Sequence, residues 1–534
     1  MYMNRFFKIF ILLGIMSGCT TPPTTTDWFA DYDATKVGRP STVEYGRYIG
    51  GYGTHTPDED EHHRIAVLLP TSGNNATIGK TIQKSIEAAV LQHNHKNLSV
   101  TFYDTATNAN DAIDSALSGN PEIIIGPLFA KNARILRDKK PESIPALSFT
   151  SDATAVGDGL MTMSLMPTNS VEHIVKQMIS DGVRSFIIMA PDNNSGKIMA
   201  GIAQEAATIY NVPLSGIFYY TEQNSESIKN ISKTASLNDA RTEANTRART
   251  ILADILTNEK LTALEKSDLT IQLEKISRTD TLGSIPYDAI LFLGSADDTT
   301  KLVSFLRYYG VKSSDTKYYG TTMWDGTDIA SDITMIGAKF ATLPETNPDF
   351  VTLYEQVSGT TPSRLATMGY DATNMAIGML YSDKSPASYL LNPSGYIGTD
   401  GLFRMKPTGD NERALRIVKT NGDGTITEFK HAPTTFMAQL YSIDPTKVTP
   451  AKAFDIQSSE INPYNYINIP FRLIRKYSSK SYNSDNNSST ITSLQDIVTT
   501  LPEDDRATIT ISDFEPVKKE SINRTYIDEV EIEE

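Results

Sequence analysis

The segment Gly73–Thr81 is the first place where residue types and spacing suggest chemistry. It reads Gly-Asn-Asn-Ala-Thr-Ile-Gly-Lys-Thr and follows an apolar run, which is the setting of a phosphate-binding P-loop. A P-loop has four residues between its glycines because its backbone N–H groups must converge on one phosphate, whereas this segment has five. No partner strand ending in a metal-binding aspartate stands out. We therefore expect no nucleotide hydrolysis.

The other reactive residue types do not form a catalytic pattern either. Of the seven histidines, His55, His62 and His63 fall in an acidic linker, and His93 and His95 are two residues apart, which on a helix directs them to different faces. A Gly-x-Ser-x-Gly motif is absent, and the acids Asp297-Asp298 are adjacent in sequence. Solvated histidines are the expected reading. We predict no metal, no cofactor and no enzymatic activity, with an enzyme as the minor alternative.

A third group of polar residues points to binding. In open parallel sheets, ligands bind beyond the carboxyl ends of the strands, where the loops of neighbouring strands meet. Each of these residues also has an ordinary interpretation as part of a turn, but together they predict a cleft for a small polar ligand. The candidates are Ser72, Gly73, Gly126, Pro127, Thr150, Ser151, Asp152, Asp192, Asn193, Ser295, Asp297, Thr322, Trp324 and Asp371.

The N-terminus has the layout of a signal peptide. Arg5 and Lys8 precede a short apolar run, and Ser17-Gly18-Cys19 follows. Met16-Ser17-Gly18-Cys19 fits a bacterial lipoprotein box, with Met in place of the usual Leu, so we predict cleavage after residue 18 and acylation of Cys19. The alternative is an ordinary secretory signal with a chance cysteine. Cys19 is the only cysteine, so the mature chain would have no disulfide and no free thiol.

Composition separates the rest of the chain into a stalk, a globular part and a tail. Residues 19–62 are rich in Thr, Pro, Gly and Asp and predict a flexible lipid-anchored stalk. Residues 437–534 predict a polar, acidic and largely disordered extension, because the net charge is −15 for the chain and about half of it lies beyond residue 477. Nucleic-acid binding would call for a basic stripe, and none is present in the sequence.

Between stalk and extension, short apolar runs alternate with helical patterns in two successive series. This alternation predicts an α/β fold with two Rossmann-like lobes, each built on a parallel sheet. Charged residues 222–281 contain almost no Gly or Pro, which favours a helical hairpin inserted into the second lobe over a long connection. Around residues 401–405, 413–419 and 425–429 the pattern alternates, as in antiparallel strands at a sheet edge.

From about residue 64 to 436 the chain resembles type I periplasmic-binding proteins of the leucine-binding kind. More narrowly, it is similar to the penicillin-binding-protein activator lipoproteins of alphaproteobacteria. The stretches that carry this resemblance are residues 65–73, 124–129, 190–193, 280–290, 308–311, 320–325, 364–372 and 401–404.

The resemblance implies two lobes joined by crossovers near residues 166–168, 343–345 and 396–398. Lobe 1 would comprise residues 63–166 and 344–396, and lobe 2 residues 167–343 and 397–436. In amino-acid-binding relatives, loops after the third and fourth strands hold the ligand carboxylate. Here Leu128-Phe129 replaces small hydroxyl residues, while Thr150 and Ser151 persist, and Asp297 would be the acid for an α-amino group.

The family implies a non-enzymatic role, in which the lipoprotein contacts or senses for a peptidoglycan synthase. The alternative is a receptor that delivers an amino-acid-type solute to an ABC importer, or a ligand sensor. Thr20 follows the lipidated cysteine, whereas relatives retained in the inner membrane usually carry Asp there. We therefore expect the periplasmic face of the outer membrane rather than the inner membrane.

Overall fold

The computed structural model describes residues 62–436, 443–456 and 461–470. The predicted signal peptide, Cys19, almost all of the predicted stalk and most of the predicted acidic extension lie outside the described residues. The first strand of the described chain is β1 (His63–Leu69), which lies second from one edge of the first sheet.

The first sheet has five parallel strands in the order β2-β1-β3-β4-β5. Its core lies on both faces, because Ile65, Val67 and Leu69 enter one hydrophobic cluster and Ala66 and Leu68 enter another. A strand buried on both sides reads as a continuous apolar run, which is why the sequence reveals it. The other strands are β2 (Leu98–Asp104), β3 (Ile123–Ile125), β4 (Ala146–Ser148) and β5 (Leu160–Thr162).

Helices cover both faces of this sheet. They are α1 (Ala76–His93), α2 (Ala109–Ser118) and α3 (Ala130–Lys139), joined late in the chain by α10 (Pro348–Ser358), α11 (Arg364–Leu380) and α12 (Pro386–Leu390). Helix α2 begins where the Asn108 side chain accepts hydrogen bonds from two backbone N–H groups of the first turn, a typical N-cap. Helix α11 packs against α1 and contributes Ala372, Met375 and Ala376 to the core of the first sheet.

The second sheet has seven strands in the order β15-β14-β10-β9-β8-β6-β7. The five strands from β10 to β7 are parallel, and β14 (Arg416–Thr420) and β15 (Ile426–Lys430) add an antiparallel edge. The elements are α4 (Pro167–Ser180), β6 (Phe186–Pro191), α5 (Asn194–Ile209), β7 (Leu214–Tyr220), β8 (Ala289–Phe292), α9 (Ala296–Tyr308), β9 (Lys317–Gly320) and β10 (Lys339–Thr342). The predicted α/β class with two parallel sheets is confirmed.

The predicted insertion at residues 222–281 is helical but contains three helices rather than a two-helix hairpin. These are α6 (Ser225–Ala235), α7 (Asn238–Leu256) and α8 (Ala263–Ser277). Helix α6 packs against α9, and α7 packs against α8. The start of α8 is fixed by a capping box between Thr262 and Glu265. None of the described helices combines the length and the apolarity needed to cross a bilayer.

The late strands divide between two sheets. Strands β11 (Tyr396–Gly398), β12 (Gly401–Met405) and β13 (Asn411–Arg413) form a small antiparallel sheet, whereas β14 (Arg416–Thr420) and β15 (Ile426–Lys430) extend the second sheet. The crossover predicted at residues 396–398 is therefore a strand, and the chain enters the second sheet only after Arg413. The sequence predicts this crossover too early because strands β11–β13 are short and are joined by tight turns.

Two segments beyond residue 436 also pack into the structure. Ile443 and Ala451 are buried in the core of the second sheet, and Tyr219 donates its hydroxyl proton to the Ala451 carbonyl at 3.0 Å. Phe454 forms a backbone bridge with Ile217 of β7. The predicted start of a loose extension at residue 437 is therefore wrong for residues 443–456, whose apolar residues are too widely spaced to show a period.

Candidate functional site

Apart from Asp371, the candidates from the first lobe lie in the loops that follow strands β1, β3 and β4. Gly126 has a φ of +97°, and a Cβ there would lie 2.2 Å from the Leu68 carbonyl oxygen, so only glycine fits. The Gly126–Pro127 peptide is cis. Pro127 accepts a hydrogen bond from Ser148 Oγ at 2.7 Å, and Thr150 is buried at 4% exposure. These residues fix the backbone of the loops and leave few polar atoms available to a ligand.

The loops that hold the more exposed members of this group are fixed by contacts with neighbouring elements, β2 and α3. Asp104, which the sequence did not single out, accepts the Thr71 N–H at 2.9 Å and organises the loop that holds exposed Ser72 and Gly73. Hydrogen bonds from this loop lower the pKa of Asp104 despite the opposing effect of burial. Asp152 accepts from Arg134 Nη2 at 2.5 Å, beside exposed Ser151.

The candidates of the second lobe mainly begin helices. Asn193 and Ser295 are the N-caps of α5 and α9 and accept backbone N–H groups at 2.8 and 3.3 Å. Asp192 is paired with Lys197 at 2.7 Å. Asp297 is exposed, whereas its neighbour Asp298 is buried and accepts the Gln223 N–H. The predicted ligand role of these loops stays a prediction.

Trp324 does not line a cleft. It is 1% exposed and packs in the core of the second lobe between the rings of Phe292 and Phe340, with centroid distances of 6.3 and 5.7 Å. A Cβ at Gly320 would lie 2.4 Å from the indole, so the strand before it needs glycine. Thr322, half-buried beside it, belongs to the same short 3₁₀ turn. The sequence around Trp324 is typical of an exposed polar turn, but the indole packs into the core beneath that turn.

The predicted positions of the histidine side chains are also wrong. Helix α1 ends at His93, and Asn94 adopts a left-handed conformation with a φ of 50°, so His95 is no longer on the helix. The rings of His93 and His95 stack at 5.7 Å, and His95 stacks on Tyr381 at 4.1 Å. His63 is buried and lies 3.1 Å from Glu122 rather than in a solvated linker.

Asp371 is the candidate that leads to the most elaborate polar site. It was predicted at a strand end but lies in helix α11, where it is 1% exposed. Both carboxylate oxygens accept from Thr399, through the backbone N–H at 3.0 and 3.1 Å and the hydroxyl at 3.1 Å. Thr399 follows β11, so Asp371 ties the core helix of the first lobe to the region where the lobes connect.

Buried polar side chains join the first and third crossovers between the lobes. Asn411 donates its amide N–H groups to the carbonyls of Thr162 and Ser164 at 2.7 and 2.6 Å. Arg413, 3% exposed, donates through Nη2 to the Met163 carbonyl at 2.6 Å. Because buried polar groups must be paired to be stable, these bonds fix how the two connections pass each other.

Arg364 joins the second crossover to the same region. Its Nη1 donates to the Pro344 carbonyl at 3.1 Å, to Thr346 Oγ1 at 2.9 Å and to Asp400 Oδ1 at 2.6 Å. Its Nη2 lies 3.3 Å from Asp325 Oδ2, in the loop after β9 of the second sheet. Four residues contact all three connections between the sheets, and we call them the hinge network. They are Arg364, Asp371, Asp400 and Arg413.

The electrostatics of the hinge network favour partial neutralisation. Burial and, less strongly, the neighbouring Asp400 raise the pKa of Asp371 to about 7, against the opposing effect of Arg413. Burial also lowers the pKa of Arg413, while Asp371 and Asp400 act in the opposite direction. Such an arrangement can hold two lobes in a defined relation and respond to pH.

Sequence reasoning missed Arg364, Asp400 and Arg413. Arg364 opens the core helix α11, and Asp400 stands in a turn between two short strands. Arg413 follows Glu412 and directly precedes the apolar pair Ala414-Leu415. A charge at the border of a buried segment is a weak signal, but it is the signal that these three share.

Sequence comparisons identify relatives of this chain. Residues 56–279 match the protein family described as "LppC putative lipoprotein". The penicillin-binding protein activator LpoA of Pasteurella multocida is 27% identical over 207 residues, covering 36% of this chain and 36% of that protein. The activator LpoA of Mannheimia succiniciproducens is 30% identical over 155 residues, covering 28% and 25%. The chain thus spans at most about a third of the length of these relatives.

A structural comparison supports the fold. The crystal structure of a candidate branched-chain amino acid ABC transporter protein from Rhodospirillum rubrum superposes with a TM-score of 0.53 at 15% identity, covering 69% of this chain and 100% of that chain. At that identity, the likeness extends to the fold alone. The resemblance predicted from the sequence is thereby confirmed: the chain is similar to the LppC lipoprotein family and to penicillin-binding protein activators named LpoA, and it shares the α/β fold of leucine-binding-type periplasmic proteins.

Proposed function

We propose that this protein is a lipid-tethered, non-enzymatic lipoprotein that activates a peptidoglycan synthase of the penicillin-binding class through protein contacts. The observation that carries the proposal is the match to relatives named penicillin-binding protein activator, which recurs in several species. The match to the LppC family covers residues 56–279 and so includes the first sheet and the helical insertion of the second lobe.

The geometry supports a binding role rather than turnover. The polar residues at the strand ends are engaged as helix caps, loop partners and ion pairs, which positions backbone but supplies no activated nucleophile. The hinge network instead holds two lobes in a defined arrangement. A fixed two-lobe surface suits recognition of a protein partner.

The alternative is a solute receptor for an importer, since the fold also occurs in such receptors. The names of the sequence relatives favour the activator. The candidate cleft residues carry the alternative, but Trp324 is buried in the core and Asp371 lies in helix α11 rather than in a strand-end loop. A receptor for an amino acid would need charged groups that face the ligand and lack internal partners.

Copurification separates the two roles. The full-length lipoprotein, carrying a C-terminal affinity tag, is isolated from detergent-solubilised membranes of its own bacterium, and bound proteins are identified by mass spectrometry. We expect a bifunctional transglycosylase-transpeptidase. A thermal-shift screen against the twenty amino acids serves as the opposite arm. Clear stabilisation by an amino acid, together with recovery of importer subunits instead of a synthase, would reject the activator role.

The anchoring is proposed on the same terms. Cys19 would carry the acyl groups and hold the protein on the periplasmic face of the outer membrane, because Thr20 rather than Asp follows it. Two or more acyl chains give stable anchoring without a membrane-spanning helix. Sucrose-gradient fractionation should place the wild-type protein with outer membranes and the Cys19→Ser variant elsewhere. Recovery of the wild-type protein with inner membranes would contradict the proposed location.

A further inference from the structure

A cavity of about 590 Å³ opens on the first lobe, away from the strand-end loops. Its walls are the last turn of α1, the face of α10 and strand β11, and its floor is helix α11. The lining residues are Leu91, Gln92, Asp349, Phe350, Leu353, Gln356, Val357, Tyr370, Asp371, Ile397, Gly398 and Thr399. A volume of this size lies within the range of small-molecule pockets, roughly 300–1,000 Å³.

Most of the wall is apolar. Phe350 and Tyr370 form an aromatic corner with ring centroids 4.7 Å apart, and Leu353 and Val357 continue the same side of α10. Leu91 stands at the mouth with 64% of its surface exposed. A leucine this exposed beside a cavity becomes buried when an apolar group occupies the space, which favours an apolar occupant.

The polar part of the cavity is acidic. Asp371 lies at the floor and Asp349 at the rim, and none of the twelve lining residues is a lysine or arginine. With no side chain at residue 398, the Asp371 carboxylate comes close to the cavity, since a Cβ on Gly398 would lie 2.4 Å from its Oδ2. Its three hydrogen bonds within the described part of the chain all come from Thr399.

These features determine the chemistry of an occupant. An aromatic or alkyl group would fill the space between Phe350 and Val357, and a cationic hydrogen-bond donor would complement the acids. An anion would be repelled by both carboxylates. We propose that this cavity binds a small amphipathic amine, whose apolar body contacts α10 and whose ammonium group is directed toward Asp371 and Asp349.

Such a ligand would act beside the hinge network. Its ammonium group would approach Asp371, which Thr399 ties to strand β11, and β11 belongs to the small sheet that leads into the second lobe. This position lies outside the predicted cleft at the strand ends. A ligand there would therefore occupy a site separate from that cleft.

Isothermal titration with three probes of matched size tests the site. The mature chain carrying Cys19→Ser is titrated at pH 7.5 with 2-phenylethylamine, 2-phenylethanol and 3-phenylpropanoate. We expect saturable binding of the amine, binding of the alcohol weaker by about fivefold or more, and no binding of the carboxylate. Equal binding of all three probes, or no binding of the amine at millimolar concentration, would overturn the proposal.

Variants locate the binding. Leu91→Trp fills the mouth from an exposed position and should abolish amine binding, and Val357→Trp, deeper on α10, should do the same. Leu264→Trp, on the equally exposed surface of α8 at 72% exposure, is the matched control and should bind normally. Asp371→Asn should remove the preference for amine over alcohol. Amine binding that survives both tryptophans on α1 and α10 would place the ligand elsewhere and reject the site.

Discussion

The guanidinium of Arg364, at the start of a helix packed on the first sheet, lies 3.3 Å from the carboxylate of Asp325, in a loop of the second sheet. The same guanidinium lies 2.6 Å from Asp400, which is 3% exposed. One arginine therefore pairs with a partly exposed carboxylate on one lobe and with a buried carboxylate at the connection between the lobes.

These two contacts should differ in energy. Asp325→Asn removes a partly exposed ion pair and should lower the free energy of unfolding by no more than about 1 kcal/mol. Arg364→Met leaves Asp400 buried without its cation and should lower it by about 3–5 kcal/mol. Urea unfolding followed by circular dichroism measures both. Similar losses in the two variants would show that Asp400 does not depend on Arg364.

Asp371 should make stability depend on pH. Its folded pKa of about 7 lies above the value near 3.9 of an unfolded aspartate, so the folded state holds the proton more tightly. The stabilisation is fully present below pH 4 and is lost as the pH rises to about 7, with a slope of the order of 1 kcal/mol per unit.

Asp371→Asn should abolish that slope. The difference in unfolding free energy between wild type and variant is measured by urea titration from pH 4 to pH 8. Asp349→Asn, at an exposed acid on α10, is the control and should retain the wild-type slope. A wild-type protein whose stability difference from Asp371→Asn stays constant over this range would disprove the shifted pKa.

Gly126 should be the least replaceable glycine at the strand ends. Gly126→Ala places a Cβ 2.2 Å from the Leu68 carbonyl at a φ of +97°, so backbone must move. Gly182→Ala, at a φ of +71° with open space around it, carries only the conformational penalty of about 1–2 kcal/mol. We expect Gly126→Ala to exceed that penalty clearly in thermal unfolding; equal melting temperatures for the two variants would contradict the close approach.

Trp324 should behave as a core residue. Trp324→Ala removes a fully buried indole and should lower the free energy of unfolding by about 3–5 kcal/mol. Met323→Ala, next in sequence and 44% exposed, should change it by less than about 0.5 kcal/mol. The alternative, a ligand-facing indole, predicts little loss of stability from Trp324→Ala.

The sequence predicts this fold only where the apolar residues of an element form a clear pattern. Ile65 to Leu69 and Phe186 to Met189 are buried on both faces, so their apolar runs identify parallel strands directly. Strands such as β11 and β13 have three residues each and show no period, which is why the third crossover was misplaced.

The candidate site was less predictable because its residues are brought together by long-range contacts. Asn411 lies 249 positions from Thr162, whose carbonyl it binds. Asp371 was singled out by its type, but only the packing of helix α11 against Thr399 shows that it is buried. Loop composition predicts where strands end and leaves open which side chains fold back into the core, as Trp324 does.

Reconstituted glycan polymerisation tests the central claim most directly. A purified bifunctional penicillin-binding synthase from the same bacterium is assayed on its lipid-linked substrate, with and without an equimolar amount of this lipoprotein. The proposed function predicts that the lipoprotein raises the synthase rate severalfold and has no polymerising activity alone. A synthase rate that is unchanged at saturating lipoprotein would contradict it.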